Sequence, residues 1–446
     1  MKRLALFTVW GLYIAMFSLS LAASSNLALS ENPPLVPIDM RRPGFWIARH
    51  PAPDSLFMSP MEIANLNRKM NRKGFVGQIE QSSAIINGAN LKKQINDCYY
   101  MAKGSGKYLP SGEKPSPAFW HAMKQTLNVH KIKPVQQVRF AFPIRFTNQR
   151  LIPYSGILTG ESLNPEFDQI QNSGFDIADA LVLYHDSADG KWAFGAGRAS
   201  SGWFWKQDLT IKNRADWLNY LQAKRFVICT QNKTDIYQDA ARTHYVGLAR
   251  LGSSFPVVSE QALVFGIRMP DESTAYIARR DVHEGFLPYN ARSVYELAFS
   301  TLNSPYGWGD LNAEYDCSGL LKQIFKCFGI YLPRNGAAQN SAVKLLHEFN
   351  PAENAAERER TISEKALPAQ SFLRMPGHIM LYLGSVEGKT YALHALWGIG
   401  RPTAEGEDET IAANKVLISD LSLGEGSKRK SLLLRLSAIG AVANDR

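Results

Sequence analysis

Only four cysteines, Cys98, Cys229, Cys317 and Cys327, occur in 446 residues, so disulfides are not what holds this chain together. It has no CxxC pair and no cysteine and histidine series at zinc-ligand spacing. Cys327 follows Cys317 on one predicted helix, roughly 15 Å away by helical rise, and the two cannot bond. Cys98 and Cys229 are left either as a bridge or as two separate buried thiols. Dense Lys/Arg runs interleaved with aromatics are also missing, which removes nucleic acid from the expected partners. The formal charge of +10 then reads as a solvated basic surface or as attraction to anionic envelope polymers. With 45% hydrophobic and 11% aromatic residues, the chain has enough apolar material for several folded cores.

Long apolar runs are scarce as well. Lys2 and Arg3 precede a run from Leu4 to about Leu21, followed by small residues at Ala22 to Ser24. This pattern predicts a secretory signal peptide over residues 1–24. The run is also near the length of a membrane helix, so an uncleaved anchor is the alternative and the only membrane contact expected. No cysteine sits near the cleavage site, which argues against a lipoprotein. The expected location is exported, in the periplasm or cell envelope, and the expected state is a monomer.

The stretch from Pro305 to Gln339, PYGWGDLNAEYDCSGLLKQIFKCFGIYLPRNGAAQ, carries the chemistry. Leu320, Leu321, Ile324, Phe325 and Phe328 recur at helical spacing, Asp316 is placed to cap the helix, and Gly329 to close it. Cys317 falls in the first turn, where unpaired amides and the dipole favour an anion. An ordinary thiol of pKa about 8.5 is only roughly 3% ionised at pH 7, and a dipole contribution of about 1 kcal/mol moves it by less than a unit. A histidine partner is therefore required for the ionised nucleophile expected here.

Two histidines lie downstream, His378 in PGHIMLYLG and His394 in YALHALWG, each in a β-favouring run with Gly384 and Gly388 between them. The pattern predicts a hairpin. An unbulged hairpin puts both rings on one face when its loop has an odd number of residues, and a centre at Val386 would set them directly opposite. One would then activate the thiol while the other orients it. A metal site of Cys317, His378 and His394 is the other chemistry this set permits, but it lacks a fourth ligand. No cofactor is expected.

In order, PYGWG, DCSG, LPRNGAAQ, GHIMLYLG and LHALWG resemble the NlpC/P60 cysteine peptidases of bacterial cell-wall metabolism. The resemblance spans roughly Ala291 to Leu436. It implies a papain-like α+β fold that cleaves the γ-D-glutamyl-diamino-acid bond, such as that to diaminopimelate, in peptidoglycan stem peptides or muropeptides. It implies Cys317 as nucleophile, His378 as general base and His394 as the orienting third member. It further implies Tyr306 as the tyrosine closing over the site, with Asp316 and Ser318 as flanking substrate contacts. Asp310 departs from the family, standing where many relatives carry a second glycine. Leu373 to Pro376 depart too, replacing the usual Gly-Asp pair. Trp308 reads as a core aromatic, and Arg334 as one partner of a surface ion pair, with pairing to the D-glutamate carboxylate as the alternative.

The expected architecture is α+β and multidomain. After the leader, residues 25–132 form an N-terminal segment, an extended arm followed by helices at Ser59 to Lys69 and Pro115 to Leu127. Its phrases FWIARHP and ANLN resemble the segment preceding bacterial SH3 domains in some NlpC/P60 proteins. Residues 133–212 show short alternating strands with Asp189-Gly190 as a hairpin turn and resemble one SH3-like barrel. Residues 213–290 resemble a second, fainter copy, with Phe204, Lys206, Asp208 and Leu209 matching Ile277, Arg279, Asp281 and Val282. One larger β domain is the alternative. Trp203 and Trp205 read either as barrel core or as an exposed ligand platform. Residues 291–446 form the catalytic unit. The rival functions are a wall-binding scaffold with a vestigial peptidase domain, and a thiol amidase or acyltransferase on the same fold.

Overall fold

The computed structural model describes residues 36–403 and 406–444; the leader expected at 1–24 lies outside them. Among the described residues no helix is long and apolar enough to cross a membrane.

The N-terminal segment departs from the extended arm expected. Ile38–Arg41 is a short 3-10 turn and Pro43–Ile47 a short helix. The reason is Trp46, which is 2% exposed and packs on Tyr391 in the core of the C-terminal unit, with its indole N–H donating to the Met40 carbonyl. Pro60–Arg72 begins at Ser59, whose hydroxyl and the Glu62 carboxylate form a reciprocal capping box. Ile63 and Met70 of that helix join the same core. The next helices, Gly88–Lys103 and Pro117–Thr126, start at Asn87 and Ser116 caps. Their Leu91, Ile95, Tyr99 and Trp120 pack instead on Ile170, Phe194 and Trp203. One segment thus serves two cores.

Two seven-stranded antiparallel sheets follow, the first built from strands between Arg139–Pro143 and Leu209–Lys212, the second between Phe226–Cys229 and Val282–Glu284. Counting strands along the chain, each sheet has the spatial order third, second, sixth, fifth, fourth, first, seventh. Each also enters its last strand through a 3-10 turn, Lys206–Asp208 in the first and Arg279–Asp281 in the second. The two endings matched in sequence are therefore equivalent in structure. Gly190, at φ 68°, makes the expected hairpin turn. Trp203 is fully buried and Trp205 packs edge-on to Trp192, so the two do not form an exposed platform. Cys98 and Cys229 are free thiols in separate cores.

The C-terminal unit has a six-stranded antiparallel sheet in the order Lys344–Glu348, Ala438–Ala441, Ser371–Met375, His378–Val386, Lys389–Pro402, Asp408–Asp420. The helix Cys317–Lys326 lays Leu320, Leu321, Ile324 and Phe325 into a core with Ile379, Leu381 and Leu393. The whole is mixed α+β. Asp176 of the first sheet pairs with Arg250 of the second at 2.6 Å, and Gln323 of the Cys317 helix donates to the same carboxylate at 2.7 Å. Lys326 pairs with Asp179 at 2.6 Å. These buried bonds hold the Cys317 helix against both sheets.

Candidate active site

Cys317 opens its helix where the sequence places it. The Asp316 carboxylate caps the turn by accepting from the Gly319 amide at 2.7 Å, and Gly329 closes the helix end at φ 74°. The sulfur lines a cleft of about 720 Å³ together with Tyr306, Asp316, Ser318, Arg334 and His378. Gln171, Asn172 and Ser200 of the first sheet, with Gln94, Asp97 and Met101 of helix Gly88–Lys103, form the facing wall. The second sheet contributes none of the lining residues.

The two histidines share a face, though by a different route from the one expected. Val386 pairs with Lys389 around a two-residue turn, Glu387 and Gly388, both at positive φ. An even loop would send the rings to opposite faces. The register slips between Tyr382 and Gly384, leaving Leu383 as an extra residue, and this bulge restores the parity. The rings consequently sit diagonally rather than opposite. His378 Nε2 and His394 Nδ1 are 2.8 Å apart, and His394 Nε2 lies 3.0 Å from Ser419 Oγ. Three of the four ring nitrogens are spent in this relay, which leaves His378 Nδ1 to serve the thiol. A relay of this kind fixes tautomers, and it spends the His394 donors that a metal would need. Ser419 was not foreseen. Its only sequence signal is its place on a strand beside the histidines, which is common to many serines.

The ionised thiol expected at rest is not what the surroundings favour. Burial, and then the charge of Asp316, push the Cys317 thiol up to about 12, against the pull of the Ile379 amide, Arg334 and the Ser318 amide. Burial, and then Arg435, lower His378 to about 4, and His394 is lowered further by burial and by its partner ring. Desolvation penalises both charged forms, so the surroundings favour the neutral thiol and the neutral imidazole. Among the described residues no hydrogen bond joins Sγ to His378. Proton transfer then belongs to the encounter with substrate, when catalytic hydrogen bonds tighten.

Arg334 is not on the surface. It is 10% exposed and donates to both Asp316 oxygens at 3.2 and 2.6 Å and to Ser318 Oγ at 3.0 Å. Asp316 also accepts from Gly309 N and Ser318 Oγ, so both expected substrate contacts line the cleft with their polar atoms already engaged. Asp310, the family departure, is fully buried at φ 63° and pairs with Lys322 at 3.1 Å. Its position requires left-handed backbone, which glycine adopts freely and aspartate tolerates. One Asp310 oxygen lies 1.9 Å from where a Cβ on Gly319 would sit, so the glycine of DCSG is needed for this close approach. Tyr306 lines the cleft with Cys317, and burial, Asp316 and Cys317 all favour its protonated phenol. Trp308 lines the cleft too, packed edge-on against Phe167 at 5.2 Å.

Residues 303–419 match the model of the NlpC/P60 family, whose peptidases are cysteine peptidases or amidases. A γ-D-glutamyl-L-lysine dipeptidyl-peptidase of Bacillus cereus (strain ATCC 10987 / NRS 248) is 25% identical over 146 residues, 31% of this chain and 43% of that protein. The match therefore spans less than half the length of the curated relative. In three dimensions the chain resembles an NlpC/P60 endopeptidase from Photobacterium damselae subsp. piscicida, with a TM-score of 0.74 at 18% identity, covering 92% of this chain and 98% of the other. That likeness in fold covers more of the chain than residues 303–419 alone.

Proposed function

With residues 303–419 as an NlpC/P60 domain, we propose that this chain is an exported thiol peptidase cleaving the amide between γ-D-glutamate and a diamino acid in peptidoglycan stem peptides. The observation that carries this reading is Cys317 at a helix start, in one cleft with His378, whose Nε2 is held by His394, itself held by Ser419. The Cys317 sulfur attacks the carbonyl carbon as its proton passes to His378 Nδ1. Amides of the helix start hold the oxyanion. The tetrahedral adduct collapses, the C–N bond breaks, and His378 returns the proton to the departing amine. Water, deprotonated by His378, then releases the acyl group and regenerates the thiol. His394 and Ser419 orient the base and do not touch substrate. In this reading the two seven-stranded sheets are SH3-like barrels, and the first borders the groove and selects the peptide end.

The test is incubation of the purified chain with L-Ala-γ-D-Glu-diamino-acid peptides, following new amino ends. Wild type is expected to release the diamino acid, and Cys317→Ala to show no turnover above background. Binding of sacculi without any cleavage would replace this reading with that of a scaffold.

A further inference from the structure

The cleft continues past His378 into a second lobe of about 230 Å³, sharing Tyr306, Trp308, Met375, Gly377 and His378 with the first but not reaching Cys317. Its walls include Arg429, Lys430 and Arg435, which lie beyond the family match at 303–419. No carboxylate lines this lobe. The acids around it are engaged: Glu166 accepts from the Trp397 indole N–H at 2.6 Å at the edge of the lobe, Glu407 pairs with Lys428 at 2.7 Å, and Asp408 accepts the backbone amides of Lys428 and Arg429. Among the described residues, none of the three cations has an ion pair. Arg435 is part-buried and feels the repulsion of Arg429, while its own charge reaches His378. Arg429 and Lys430 stand exposed at the mouth of the lobe, and an incoming anion relieves the repulsion between Arg429 and Arg435.

The position assigns the lobe to one side of the scissile bond. The leaving amine takes its proton from His378, so the leaving group extends over that ring. The lobe that borders His378 without Cys317 therefore receives the diamino acid. We propose that Arg429, Lys430 and Arg435 form a carboxylate subsite that selects a diamino acid with a carboxylate at the end of its side chain, as in diaminopimelate, over lysine. This inference rests on the peptidase reading above. It contains an attractive and a repulsive part. A diaminopimelate side chain ends in a carboxylate beside its ammonium, and a guanidinium grips that carboxylate with two parallel bonds. A lysine side chain ends in an ammonium alone and meets three like charges.

The experiment compares kcat/KM on L-Ala-γ-D-Glu-meso-diaminopimelate and L-Ala-γ-D-Glu-L-Lys with the full chain. The diaminopimelate peptide is expected to be favoured by at least about 10-fold, the scale of one charge-assisted hydrogen bond. In Arg429→Gln/Arg435→Gln the ratio should fall toward one. Any change in His378 basicity affects both substrates alike and cancels in that ratio. Calorimetric binding of both peptides to Cys317→Ala provides a second readout independent of turnover. Equal kcat/KM in wild type, or a ratio unmoved by the double substitution, would overturn the subsite. Failure to cleave either peptide, with the diaminopimelate form still bound more tightly, would overturn the peptidase reading and leave the subsite standing. Equal or absent binding together with no cleavage would remove both.

Discussion

Cys317 was legible because everything that places it is local: an acid before it, small residues after it, and an apolar stripe at helical spacing. Its protonation was not legible, since burial and the charge of Asp316 arise from tertiary packing. A thiolate paired with an imidazolium would alkylate at a constant rate from about pH 5 to pH 8. The neutral pair that burial favours predicts that iodoacetamide labelling of Cys317 climbs about 10-fold per pH unit across that range, with no plateau. A flat profile would show that the ion pair exists at rest. Asp310 and Arg334 illustrate the same limit. One appeared as a family departure and the other as a surface charge, and only the fold reveals them as buried partners around the Cys317 helix.

At the scale of elements, the hairpin of the two histidines was expected from β-favouring runs and intervening glycines, and it is there. The parity of its loop was beyond reach, because a two-residue turn and a bulge cancel and neither has a distinctive signature here. The bulge is thereby a functional element. Deleting Leu383 should leave an even, unbulged hairpin, turn His378 and His394 to opposite faces, and lower kcat by about 10²-fold or more, the usual scale of a lost general base. Activity near wild type in a folded deletion variant, checked by circular dichroism, would contradict the register argument. Helix caps were read correctly at Ser59 and Asp316, whereas helix Gly88–Lys103 was missed, its Asn87 cap carrying no proline or capping-box signal.

Over the whole molecule, burial of neutral histidines sets the response to acid. His378, His394 and His185 all have lowered pKa values, with burial as the first cause. Between the ordinary histidine value of about 6.5 and their folded values, the unfolded chain binds more protons, so stability falls as pH drops through that window. The loss is on the order of 3 kcal/mol for His378 alone. Asp310 and Asp179, depressed by their cationic neighbours, act lower: their contribution is intact above about pH 4 and fades below it. Urea midpoints should therefore decline from pH 6.5 to 4 and drop again below that. A constant midpoint down to pH 4 would mean that these rings are not neutral in the fold. The tandem β units were visible in sequence through their matching ends; their shared strand order required the coordinates.

Asn444 donates to Glu62 across 382 residues of sequence, and Trp46 rests on the strand that carries His394. During synthesis, Trp46 leaves the ribosome long before that strand exists. The nascent segment waits with an uncovered indole until the strand Lys389–Pro402, which follows both β units, has been made. The order of translation thus leaves Trp46 without its Tyr391 contact until residues far along the chain have been made.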